Sequence, residues 1–255
     1  VPAYIRQKAQ NNQPISNTDY YGAAIARTLL GKGESIYAAT YNPILFSTLY
    51  PYQDASKPLP IFTAGGISHK TAPPVWFEVS PFEVGTVFGR DEHGVGVYVP
   101  TKFLGNIFKG GMRGASAPEM PLEYYLGVCG SALNVSVHDI KGYIPLSGLA
   151  SLARPVADVL NPNLRFAYAK VLNPFMGINS VPRAFSETDM LGLFDAGLIF
   201  NLPYPPLNPY GVMRKSRQAD IIIFIDSSDD NSSDTRVAEG FQSWPDGTTL
   251  RSVEA

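Results

Sequence analysis

Few residues in this sequence could carry out bond chemistry, and most of those are scattered. His69, His93 and His138 lie far apart, and no pair has the spacing of metal ligands. Without a His, Cys or carboxylate cluster around them, they are expected to be surface or structural residues, and no metal site is expected. No Gly-x-Ser-x-Gly elbow occurs. Ser131 falls inside an expected helix and Ser147 lacks a preceding strand, so neither has the strand-to-helix turn that exposes a nucleophile. Asp226, Asp229, Asp230 and Asp234 are spaced somewhat like calcium ligands. They lack the central Gly and terminal Glu of an EF-hand loop and read as a solvated loop. Asp195 stands apart, because it follows Leu193-Phe194 and precedes Ala196-Gly197. A carboxylate in an apolar stretch is costly to bury unless it is paired or used. Gly197 permits a tight turn just after it. Residue chemistry alone leaves two roles open for Asp195, a catalytic carboxylate or a turn cap.

The elements that would position Asp195 are short. An N-cap at Thr18 followed by Ala23, Ile25, Ala26, Leu29 and Leu30 predicts a helix up to residue 30. Residues 1–14 are polar and 31–58 irregular. Leu59-Pro60-Ile61-Phe62-Thr63, closed by Gly65-Gly66, suits a strand buried on both faces. Residues 75–80 and 95–99 are further strand candidates. Pro121 at a first helical position, with Leu122, Tyr125, Leu126, Cys129, Leu133 and Val137 at helical spacing, predicts a helix over 121–139. Gly127 and Gly130 inside it imply close approach of another backbone, since each costs about 1 kcal/mol by propensity. A second helix, interrupted by Pro155, is expected over 149–160. Residues 219–226 read as a central strand because they are apolar without alternation, and 227–255 as a polar loop and tail. Short apolar strands separated by helices predict an α/β fold with a mixed sheet.

Composition narrows the class. The 255 residues carry 20 Lys and Arg against 22 Asp and Glu, a net charge of −2. That offers no basic excess to neutralise a phosphate backbone, so no nucleic acid is expected as partner. The 23 glycines and 22 prolines exceed the roughly 18 and 13 of an average chain this long, which argues against a helical bundle. A single cysteine, Cys129, allows no internal disulfide framework. No apolar run approaches the ~20 residues of a membrane span, and no signal-like segment opens the sequence. A cytoplasmic or peripheral-membrane location is the expectation.

Several ordered segments resemble the catalytic domain of the cytosolic phospholipase A2 family, which includes fungal phospholipase B. They are Asn17-Thr18-Asp19-Tyr20-Tyr21-Gly22, Leu59 to Thr63, Trp76-Phe77-Glu78-Val79-Ser80-Pro81-Phe82-Glu83-Val84-Gly85, Phe103-Leu104-Gly105, Leu126-Gly127-Val128-Cys129-Gly130-Ser131-Ala132, and Asp195-Ala196-Gly197 with Asn201-Leu202-Pro203-Tyr204-Pro205. Arg214 and Arg217 with Asp220 then lead into the next expected strand. The resemblance covers residues 15–230 and rests on the order of the pieces.

The resemblance implies a patatin-like α/β sheet flanked by helices and a Ser–Asp dyad, with Asp195 as the base and Arg214 and Arg217 binding substrate phosphate. An unperturbed Asp has a pKa of about 3.9 and is a poor base near neutrality. The apolar neighbours Phe194, Leu198 and Phe200 would raise it by desolvation. The family's Gly-x-Ser-Gly elbow and Gly-rich oxyanion loop are not in this sequence. The chain is therefore expected to be the later portion, residues 1–255, of one catalytic domain whose sheet is incomplete at the N-terminus, with a preceding segment carrying the nucleophile. The expected partner is a phospholipid or lysophospholipid at a membrane surface. The alternative is a catalytically inactive relative kept as a lipid- or protein-binding module. No motif calls for a cofactor, and nothing here resembles the calcium-binding module of mammalian members, which leaves calcium dependence open.

Overall fold

The computed structural model describes residues 2–30, 43–49, 54–68, 74–88, 94–131, 168–198, 203, 205–207 and 221–223. The chain opens with helix α1 (Ala3–Gln10), which the polar composition of residues 1–14 concealed. Its buried face is Tyr4, Ile5 and Lys8, one helical turn of spacing. Helix α2 (Asn17–Leu29) follows, with Ser16 rather than Thr18 as its N-cap. The Asp19 carboxylate accepts hydrogen bonds from the Ser16 amide (2.8 Å) and hydroxyl (3.0 Å). This carboxylate-to-cap closure works from the third helical position, so it fixes Ser16 as cap and leaves Thr18 inside the first turn.

Lys8 is buried by the same carboxylate. Its ammonium lies 2.5 Å from Asp19 Oδ1 and 4.8 Å from the centre of the Tyr124 ring. The Tyr4 hydroxyl donates to the Asp19 carbonyl oxygen. Burial pulls the Lys8 pKa down, and Asp19 opposes that shift.

Among the described residues, six strands form one sheet. Strand β1 (Phe62–Ile67) is followed by β2 (Val75–Val79), β3 (Glu83–Phe88) and β4 (Val95–Pro100). A small hairpin, β5 (Phe108–Lys109) and β6 (Met112–Arg113), forms a separate two-stranded ribbon. Helix α3 (Leu122–Cys129) comes next, then β7 (Ala169–Leu172), a one-turn helix α4 (Arg183–Ser186) and β8 (Met190–Asp195). The sheet order is β4-β3-β2-β1-β8-β7. Every pairing among these strands is antiparallel, so the β1–β4 meander needs no crossover helices. The architecture is α/β: α3 packs on β1 and β8, and α2 packs on α3. The core between them holds Phe46, Tyr124 and Tyr125, with Phe46 stacked on Phe62 at 5.1 Å.

Three further expectations change. The strand expected at 59–63 lies further along and runs through Gly65-Gly66 instead of ending there. Gly65 pairs with Trp76 on one side and Phe194 on the other. A Cβ on Gly66 would collide with the Phe77 ring, so the glycine makes room for an aromatic rather than breaking the strand. Helix α3 stops at Cys129, with Pro121 as N-cap and Gly130 as C-cap. Ser131 therefore lies just past a helix, not inside one. Within the run 219–226, residues 221–223 are not in a strand, and Ile221 and Ile223 are 81% and 82% exposed. An unalternating apolar run becomes a central strand only with a neighbour on each side, and no described strand pairs with 221–223.

The expected helix over 149–160, the three histidines, Ala132, residues 226–255, Arg214 and Arg217 lie outside the described residues. No described helix is long and apolar enough to cross a membrane.

Candidate active site

Asp195 is the last residue of β8, opposite Ala64 of β1. The strand places it there because Leu191, Leu193 and Phe194 are buried and anchor the preceding residues. Beyond it the chain turns through a 3-10 segment, Ala196–Leu198. The Gly197 amide donates to Asp195 Oδ1 at 2.8 Å. This local bond fixes the carboxylate at the strand end, so the turn role and the catalytic role are compatible in one residue. Asp195 itself is half-buried.

Two groups on neighbouring helices feel the Asp195 charge. Tyr21 belongs to α2 and Cys129 ends α3. Burial raises the pKa of the Tyr21 phenol, and the Asp195 carboxylate raises it further. Burial pushes the Cys129 thiol up strongly, with Asp195 again adding to the shift. Both shifts favour the protonated form of the side chain.

Sequence reasoning singled out neither residue for this site, although both lie in quoted segments. The helices that carry them, α2 and α3, cross closely. There a Cβ on Gly127 would stand 2.6 Å from the Thr18 carbonyl oxygen and 2.8 Å from Gly22 Cα. A Cβ on Gly22 would strike the Glu123 carbonyl oxygen. The close approach expected of Gly127 is present, and Gly22 is its counterpart. Gly130 is less constrained, since its Cβ would meet Leu126 O at 3.1 Å and Ile25 Cδ1 at 3.5 Å.

Ser131 is fully buried, and its hydroxyl donates to the Val128 carbonyl at 2.9 Å. It closes the end of α3 by satisfying a carbonyl without a helical partner. A groove of about 370 Å³ lies between Ile67, Ser68, Lys170, Asp189 and Gly192. It sits at the start of β8, the opposite end of the strand from Asp195. Among the described residues, no three His, Cys, Asp or Glu side chains come together as a metal site.

Among the described residues, Asp195 thus stands at the end of an internal strand of the sheet, with α3 packed on that strand. The chain belongs to the lysophospholipase catalytic domain family, whose model matches residues 1–253. Lysophospholipase 1 of Schizosaccharomyces pombe is 24% identical over 96% of this chain and 38% of its own length. A lysophospholipase of Arthroderma benhamiae is 26% identical over 96% of this chain and 36% of its own length. The chain thus spans little more than a third of these relatives. Human GIVD cytosolic phospholipase A2 superposes with a TM-score of 0.55 at 16% identity, over 79% of this chain and 31% of that one. The two share a fold, the patatin-like α/β architecture that the motif order implied.

Proposed function

We propose that this chain supplies the base of a Ser–Asp acyl-ester hydrolase acting on lysophospholipid or phospholipid. A serine nucleophile from a preceding segment attacks the acyl carbonyl, and Asp195 takes the proton from its Oγ. The same proton passes to the departing alcohol, leaving an acyl-serine for water to cleave. The supporting observation is the position of Asp195, at the end of β8 with Oδ1 fixed by the Gly197 amide. Membership of a lysophospholipase domain family supports the substrate class. The test is Asp195→Asn in the full-length protein, assayed on lysophosphatidylcholine. Loss of a general base costs about 100-fold or more. A variant keeping more than about a tenth of the rate would remove Asp195 from the mechanism.

Arg214 and Arg217 are assigned to the substrate phosphate, which a guanidinium binds through paired hydrogen bonds. Replacing both with Gln should weaken turnover of phospholipid but not of a neutral acyl ester. Equal loss on both substrates would return them to a structural role.

A further inference from the structure

The groove of about 370 Å³ lies over the start of β8. Strand register sets its floor. Ile67 of β1, Gly192 of β8 and Lys170 of β7 stand side by side and so share one sheet face. Asp195 is three residues past Gly192 on an alternating strand, which puts it on the other face, about 10 Å further along β8. A molecule in the groove and a molecule at Asp195 are therefore on opposite sides of the sheet.

Gly192 shapes the wall. A Cβ there would stand 2.5 Å from Tyr168 Cδ2 and 3.1 Å from Ile67 Cγ1. The Tyr168 ring takes the space of the missing side chain and lines the groove. Thr188 fixes the rim, because its hydroxyl donates to the Met190 carbonyl at 3.1 Å. Ser68, next to Ile67 at the end of β1, also lines the groove, and its hydroxyl is buried without a hydrogen-bond partner. Such groups are few in folded proteins. Rotation about one side-chain bond turns this hydroxyl towards an acceptor in the groove.

The groove carries both signs of charge. Lys170 is half-buried on β7, and Asp189 is exposed just before β8. The two act on one another, since burial lowers the Lys170 pKa and the Asp189 charge opposes that shift. A purely anionic or purely cationic ligand would meet like charge on one side. A ligand carrying both signs a few bonds apart meets an opposite charge on each.

We infer that this groove binds a small zwitterion that joins a phosphate to an ammonium. Lys170 and Ser68 take the phosphate, and Asp189 takes the ammonium beside the Tyr168 ring. The two-sign chemistry is read from the groove alone. The choice of phosphate rests on the proposed reaction, which on lysophosphatidylcholine releases glycerophosphocholine as its alcohol. That free ester and a lipid head group offer the same chemistry.

Calorimetric titration of the full-length protein with phosphocholine tests it. Phosphocholine should bind about tenfold or more tighter than choline or inorganic phosphate, each of which carries one sign only. Lys170→Met should weaken phosphocholine binding by about tenfold or more, the loss expected for a hydrogen bond to a charged group. Asp189→Asn should weaken phosphocholine to a similar extent without weakening inorganic phosphate, a split that a folding defect would not produce. Ser68→Ala, the mildest change, should weaken phosphocholine by about fivefold. Dodecylphosphocholine below its micelle concentration, which has no acyl ester to cleave, distinguishes the sources: tighter binding than phosphocholine assigns the site to a lipid head group, and equal binding to the free ester. Asp195→Asn should bind phosphocholine as the parent does, so this inference and the role of Asp195 stand or fall separately. No phosphocholine binding, because another segment of the full-length protein fills the groove, would overturn the inference. So would choline or phosphate binding as tightly as the zwitterion, or unchanged phosphocholine binding in the Lys170 and Asp189 variants.

Discussion

Replacing Gly127 with Ala sets two effects of opposite sign against each other. Helix propensity alone favours alanine by about 1 kcal/mol. The added methyl would stand 2.6 Å from the Thr18 carbonyl oxygen and 2.8 Å from Gly22 Cα. Ordinary carbon contacts need about 3.5 Å, so α2 and α3 must separate by several tenths of an ångström or more. Both obstacles are backbone, so no rotamer change relieves them. Overpacking of this kind costs about 1–3 kcal/mol and occasionally more, which outweighs the propensity gain. In a chain of this size, each kcal/mol moves the melting temperature by about 2–4 °C. Gly127→Ala should therefore melt several degrees below the parent by circular dichroism or calorimetry. Gly130→Ala, whose Cβ would meet its nearest neighbour at 3.1 Å, should shift the transition far less. On the proposed role of Asp195, Gly127→Ala in the full-length protein should also lower the hydrolytic rate, because α3 packs on β8, the strand that ends at Asp195. A melting temperature that rises in Gly127→Ala would refute the reasoning, since propensity would then have won over contact.

Lys8→Met should cost about 3–5 kcal/mol, because it leaves the Asp19 carboxylate buried without its cation; a urea midpoint within error of the parent would contradict this. Stability should fall as pH rises through 9–10. Cys129, with an ordinary value of 9.0, and Tyr124 and Tyr125, at 10.0, all have raised folded pKa values. The unfolded chain then loses protons that the folded chain keeps, at up to about 1.4 kcal/mol per pH unit for each group. Lys8 and Lys170 oppose this below their ordinary 10.5, because their folded values are lowered, but among the described residues they are two groups against four, since Tyr21 is raised as well. Unfolding free energies that stay level or rise between pH 9 and 11 would sink the argument.

Two strands of the meander were legible from local pattern, whereas β3 (Glu83–Phe88) was not expected. Val75 to Val79 and Val95 to Val99 are β-rich runs bounded by turn residues, and both appear as strands within a residue of expectation. The glycine crossing was half legible, since Gly127 announced a close approach but its counterpart Gly22 lies over a hundred residues earlier. Helix α1 was missed because Lys8 reads as polar, and only Asp19 and Tyr124 make its burial tolerable. Gly65-Gly66 resembled a strand end because nothing local records the Phe77 ring that occupies the missing side-chain space. The candidate site followed the same rule. Asp195 stood out by its apolar neighbours, whereas the influence of its charge on Tyr21 and Cys129 depends on tertiary packing.

Strand β1 also has a consequence for the order of folding during synthesis. Its partner on one side, β2, follows within a dozen residues, so Phe62–Val79 pairing can form as soon as both strands leave the ribosome. Its partner on the other side, β8, is encoded more than a hundred residues later. At about 5–20 residues per second, that interval is roughly 6–25 s. Until then the β1–β4 meander presents an unpaired strand edge flanked by Phe62 and Ile67. An unpaired edge of this kind is a template for association with other chains. The nascent chain is most exposed to misassembly between the completion of β4 and the arrival of β8, and that is the interval in which a chaperone would have most to cover.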